Sequence, residues 1–199
     1  MSHQMVPRPD FTRRLTQAFL DHGYDQLNMA GLAKAVDITR RTLYNYFSNK
    51  EEAFRFLIEQ ANITAIKRGI DAGREKLAEG GSAIDVITTI INIRYGENRR
   101  LLMASPHATE INDQAFRRCR DLMVGAAITF QAQLADIVVE LQQAGRLTLK
   151  PDVTPAELAQ VVADGARGTN QSLPPVAGDD LEERYRKMVA VLLYGSANA

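Results

Sequence analysis

The chain has 199 residues, 45% of them apolar and 24% charged, which is enough apolar matter for a sizeable core and excludes a disordered segment. Lys plus Arg and Asp plus Glu are equal at 24 each, and residues 1–60 are nearly balanced too, with eight basic and seven acidic side chains. A broadly basic nucleic-acid binder is therefore excluded, and any phosphate-binding function must rest on a local patch. A single cysteine, Cys119, rules out an intrachain disulfide and fits a reducing compartment.

Met1–Asp10 holds no apolar signal-like run, and the apolar blocks around Val86–Ile93 and Met188–Tyr194 are too short for a membrane span, so the expected location is the cytoplasm. The spacing predicts a first helix over about Asp10–His22, with Phe11, Leu15, Ala18 and Phe19 on one face and Gly23 as its stop. A second helix starts at Asn28, a good N-cap, with Met29, Leu32, Ala33 and Val36 inward. After Asp37-Ile38, Thr39 caps a third helix to Tyr46 or Phe47. Ser48-Asn49 then caps a fourth running towards Leu77 and ending at Gly80-Gly81, with Glu51 and Glu52 in its first turn.

Residues 82–103 predict a further helix with Ile84, Ile87, Ile91 and Tyr95 inward. Pro106 interrupts, a short piece spans His107–Ile111, and a long helix runs from about Asp113 to Gln143 on a stripe of Phe116, Met123, Ala127, Phe130, Leu134, Ile137 and Leu141. Thr154-Pro155-Ala156-Glu157 is a strong start for a helix to about Gln171, and the last helix begins at Asp179 and carries Leu181, Tyr185, Met188, Val189, Leu192 and Leu193. The expected architecture is all-α with about nine helices: a three-helix head over 1–54 and a helical body over 55–199.

Residues 28–47 carry the functional signal. Two short helices meet at a tight turn. The first has small residues, Ala30, Gly31, Ala33 and Ala35, that permit a close crossing. The second has one inward anchor, Leu43, and otherwise shows Thr39, Arg40, Arg41, Thr42, Tyr44 and Asn45. Arg pairs bidentately with guanine or binds phosphate, and Thr, Tyr and Asn reach phosphates and base edges. A helix-turn-helix lays such a second helix in the major groove. Two other classes compete. A helical enzyme would need a nucleophile–base pair, clustered carboxylates or a glycine-rich phosphate loop, and none is found. A protein-docking head would use the same face.

The run Thr39-Arg40-Arg41-Thr42-Leu43-Tyr44-Asn45-Tyr46-Phe47-Ser48-Asn49-Lys50-Glu51-Glu52-Ala53-Phe54, with Gly23-Tyr24 and Asn28-Met29-Ala30-Gly31-Leu32-Ala33 upstream, resembles the TetR family of transcriptional regulators. The motif covers residues 10–57; beyond it the likeness is one of length and helix count. The resemblance implies that Asn28 and Lys50 bind phosphates, that Thr39, Arg40, Arg41, Thr42, Tyr44, Asn45 and Tyr46 face DNA, and that Leu43 and Phe47 pack inside, with Tyr46 open between contact and packing. Asp37 stands where the family usually has Gly, Asn28 where it has Thr, and Arg41 where Gly or Ala is common.

The same resemblance implies a repressor that binds a palindromic operator as a homodimer through its last two helices and leaves it when a small effector, apolar or aromatic, binds the body. The candidate effector-lining residues are Ile66, Tyr95, Met103, His107, Met123, Ala127 and Phe130, each equally readable as plain core. Arg94, Arg99, Arg100 and His107 stand open between pairing with an anionic group and solvation. Gly165 and Gly168 would allow close approach of a partner helix or a bend. His107 and Glu110 have a metal-compatible spacing, but two ligands do not make a site, so no metal or cofactor is expected. Cys119 reads as a buried small residue, with a redox role as the alternative because Arg117, Arg118 and Arg120 flank it.

Overall fold

The computed structural model describes residues 7–196. They form nine helices and no strand. These are α1 (Pro9–His22), α2 (Met29–Ala35), α3 (Arg40–Tyr44), α4 (Lys50–Ala78), a continuous α5, α6 (Ala108–Arg118), α7 (Arg120–Gln143), α8 (Pro155–Asn170) and α9 (Leu181–Ser196). Within α5, a π-helical turn (Asn92–Gly96) lies between the α-helical segments Ala83–Ile91 and Glu97–Met103. The chain divides into two compact units: residues up to 61 with Leu101–Val124, and Asn62–Arg100 with the residues from Gly125 on.

The first unit is built on aromatic packing. Phe11, Leu15, Ala18 and Phe19 of α1 are buried against Leu32, Ala33, Val36, Leu43, Phe47 and Phe54. Phe54 takes Phe19 at 5.2 Å and Tyr24 at 5.0 Å, ring centre to ring centre. Ile111 and Ala115 of α6, and Cys119 after it, complete this core. The turn after α1 is fixed from the same side. Gly23 has φ 71°, and a Cβ there would collide with the Glu110 carboxylate and the His107 ring. Glu110 also accepts from the Asp25 amide at 2.6 Å, and the Ser105 hydroxyl donates to the Leu20 carbonyl at 2.6 Å. The head therefore takes its support from residues about 85 positions away in sequence.

In the second unit α5 is the central apolar rod. A Ser82–Asp85 capping box starts it, and Val86, Ile87, Ile90 and Ile91 are wholly buried. Phe130, Leu134, Ile137, Val138 and Leu141 of α7 pack into the same core, as do Leu158, Val162 and Ala166 of α8 and Leu181, Tyr185, Val189 and Leu193 of α9. Gly165 lets α9 come close within the same chain, since a Cβ there would stand 2.8 Å from the Met188 sulfur; Gly168 faces open space. The close approach expected of a partner helix at Gly165 is thus taken by the chain's own last helix.

Several boundaries differ from the sequence expectation. The long helix expected over Asp113–Gln143 is two helices, broken at Cys119 (φ −125°, ψ 19°), and the piece expected at His107–Ile111 is the start of α6. The break resets the helical phase, so Phe116, expected inward, is 52% exposed. The third helix stops at Tyr44 because the Asn45 and Tyr46 amides turn back tightly onto Thr42 and Leu43. The expectation that no segment reaches membrane-span length is also corrected: α7 is long and apolar enough by length and composition, though it sinks five large apolar side chains into the core of the second unit.

Candidate nucleic-acid interface

The interface is assembled from α2, a four-residue connection and α3. The Asn28 side chain accepts from the Ala30 and Gly31 amides at 3.0 and 2.9 Å and so starts α2. The Thr39 hydroxyl accepts from the Thr42 amide at 3.1 Å and starts α3. Between them the Ile38 amide reaches the Ala33 carbonyl at 3.0 Å, and Asp37 takes φ 55°, a left-handed conformation that closes the turn. Leu43 is wholly buried, which pins α3 by one face and turns the other outward.

That outward face carries Thr39, Arg40, Arg41, Tyr44 and Asn45, all exposed, with Thr42 half-buried. Neither Arg40 nor Arg41 makes an ion pair or a hydrogen bond among the described residues, so both guanidiniums offer all their donors to a ligand. Other arginines of the first unit are engaged: Arg13 and Arg14 pair with Asp10, Arg55 with Asp121 at 2.6 Å, and Arg118 with Glu51. Two adjacent arginines on an otherwise polar helix face have the chemistry to dock anions in a fixed array, with the tyrosine, threonine and asparagine beside them able to act as neutral donors.

Two expected contacts stand differently. The Tyr46 ring stacks on Phe11 at 4.8 Å, so packing is one of its uses. Lys50 does not reach outward. Its ammonium donates to the Tyr24 carbonyl at 2.7 Å and lies 4.1 Å over the Tyr24 ring, with the Arg118 guanidinium 4.6 Å from the same ring. Burial pulls the Lys50 pKa below its ordinary value. This lysine–tyrosine–arginine stack ties the start of α4 to the turn after α1. Sequence reasoning missed it because Tyr24 and Arg118 are far from Lys50 along the chain.

The seven candidate effector residues are divided between the units. Ile66 and Phe130 are buried in the second unit, Tyr95 meets Phe130 edge to face at 5.6 Å, and Ala127 is half-buried. Met103 is exposed, Met123 is half-buried against the core of the first unit, and His107 is half-buried there with Nδ1 3.2 Å from Glu110. Among the described residues no three His, Cys, Asp or Glu side chains cluster as metal ligands; His3 lies outside the described residues. Cys119 is wholly buried and burial pushes its thiol up to about 11, so the flanking arginines do not activate it.

A capped helix pair held on an aromatic core is the build of a helix-turn-helix. Residues 15–55 match the family model described as bacterial regulatory proteins, tetR family. A crystal structure of a putative TetR-family transcriptional regulator from Mesorhizobium loti superposes with a TM-score of 0.67 at 16% identity, covering 95% of this chain and 96% of that one. SmeT, the repressor of the Stenotrophomonas maltophilia multidrug efflux pump SmeDEF, gives 0.64 at 12% identity over 98% and 92% of the two chains. Thermus thermophilus FadR, a TetR-family repressor in complex with lauroyl-CoA, gives 0.59 at 21% identity over 95% and 94%. No curated protein matches the sequence. Over residues 15–55 the chain matches the TetR-family DNA-binding head, and the described residues share the fold of TetR-family regulators.

Proposed function

We propose that the chain is a cytoplasmic repressor that binds palindromic operator DNA as a homodimer and is released by a small effector held in the second unit. The observation that carries the reading is the pair of unpaired arginines, Arg40 and Arg41, on the outward face of a capped helix whose opposite face is pinned by Leu43. In this reading Asn28, Thr39, Thr42, Tyr44, Asn45 and Tyr46 contribute phosphate or base contacts beside them. Lys50 acts through the Tyr24 turn it holds.

Dimerisation is supported by Val161, Val191 and Tyr194, which are 47%, 71% and 75% exposed on α8 and α9. Large apolar side chains left outside on two helices suit a mate of the same kind. A repressor role and a small ligand accord with two fold relatives, one a pump repressor and one a repressor bound to lauroyl-CoA. The test is a gel shift with DNA flanking the chain's own gene, alongside size-exclusion chromatography with light scattering. Wild-type protein is expected to be a dimer that retards this DNA at low salt. Val191→Glu is expected to be a folded monomer with weaker binding. A folded wild-type dimer that shifts nothing would favour a protein-docking head instead.

A further inference from the structure

Arg94 is unlike every other arginine described. It sits in the π-helical turn of α5 and is only 7% exposed, yet among the described residues no carboxylate pairs with it. Nη2 donates to the Asn62 side-chain oxygen at 2.6 Å, while Nε is buried with no hydrogen-bond partner among the described residues. The guanidinium carbon lies 4.9 Å from the Tyr95 ring centre and 5.7 Å from that of Phe130. The acids of this neighbourhood are engaged by other cations: Glu97 with Arg68 at 2.7 Å, and Asp164 with Arg167. Arg167 also donates to the Tyr95 hydroxyl at 3.3 Å, so a second cation borders the same tyrosine.

A buried cation without a counter-ion costs stability, and it persists where a charged partner arrives from outside. Burial pulls the Arg94 pKa below its ordinary value, and Arg167 acts in the same direction. The unpartnered Nε lies on the Nε–Nη2 edge of the guanidinium, an edge whose geometry matches the two oxygens of a carboxylate. One buried positive charge is balanced by one negative charge, and the groups shown against the guanidinium are the aromatic rings of Tyr95 and Phe130. π-helical turns are frequent at functional sites because they re-aim a side chain without ending the helix.

We infer that Arg94 is the anion-recognising end of the effector site, and that the effector is an organic monocarboxylate with an apolar or aromatic body. This rests on the proposed effector-released repressor for its consequence, though not for the binding itself.

The experiment is a thermal-shift and calorimetric titration of the full chain with 5-phenylvalerate and octanoate, each set against its own primary amide at millimolar concentration, followed by the gel shift with the same four compounds. The acids are expected to raise Tm and the amides to leave it unchanged. Arg94→Met is expected to bind the acids about ten- to a hundredfold more weakly, the worth of a charge-assisted hydrogen-bonded pair. Without ligand it should melt no lower than wild type, because a buried unpaired charge is gone. Arg94→Lys keeps the charge without the fork and should fall between. If Arg94→Met does not fold, Arg94→Lys and the wild-type acid–amide difference decide.

Equal shifts from acid and amide, no shift from either acid, or a difference that survives in Arg94→Met would overturn the inference. Amides that release DNA while acids do not would sink it and leave the effector reading standing. Acids that bind through Arg94 without changing DNA binding would do the reverse.

Discussion

Asp37 holds a conformation in which a side chain is normally a burden, at φ 55° in the turn between α2 and α3. Aspartate bears this better than most residues because its short carboxylate bonds locally, but glycine bears it with no Cβ at all. Asp37 is also an exposed acid beside the helix that carries Arg40 and Arg41. Replacing Asp37 with Gly is therefore expected to raise unfolding stability by about 0.5–1 kcal/mol, read from the urea midpoint, and to tighten DNA binding. A destabilised variant would show that the carboxylate contributes more locally than the strain takes away. At this scale the sequence was informative wherever the cause is local. Asn28 and Thr39 are read as caps because their partners lie two or three residues on, and the structure has both bonds. Lys50 and Arg94 were not legible in the same way. Their roles depend on Tyr24, 26 residues away, and on Asn62, 32 residues away, together with a burial that no local pattern encodes.

Helices begin and end here through side chains that also set an acid limit. Asp85 closes the capping box of α5 with Ser82 and pairs with Arg186, and those hydrogen bonds hold its carboxyl down at about 2. Asp121 lies in the first turn of α7 and is held at about 2 chiefly by Arg55. Both values lie below that of an unfolded aspartate, about 3.9. Each group therefore adds stability that is complete above pH ~4 and is lost as pH falls through the folded value. The urea midpoint is expected to decline between about pH 4 and pH 2, and Asp85→Asn with Asp121→Asn to decline less. An equally steep fall in the double variant would place the acid sensitivity elsewhere. Element existence and order were readable from apolar periodicity and caps. The break at Cys119 was not, since residues 113–143 contain no proline and only Gly125 as a breaker, and apolar residues recur on both sides. What breaks the helix there is tertiary: Cys119 is drawn into the core of the first unit while Phe130 belongs to that of the second.

The whole molecule divides its labour between two cores. The first unit presents α3 with its polar face outward; the second holds an aromatic and aliphatic interior in which the Arg94 guanidinium is buried. Net charge gave no hint of either, because 24 basic and 24 acidic residues cancel over the whole chain. In the proposed reading, DNA is met by Arg40 and Arg41 on the outward face of α3. Fluorescence anisotropy with operator DNA from the chain's own flanking sequence, titrated across salt, tests this most directly. Wild-type log affinity is expected to fall linearly with log salt, by about 0.9 for each phosphate contact. The Arg40→Ala, Arg41→Ala double variant is expected to bind more weakly with a visibly shallower slope while keeping its fold by circular dichroism. A folded double variant with unchanged slope and affinity would contradict the assignment of this helix face to DNA.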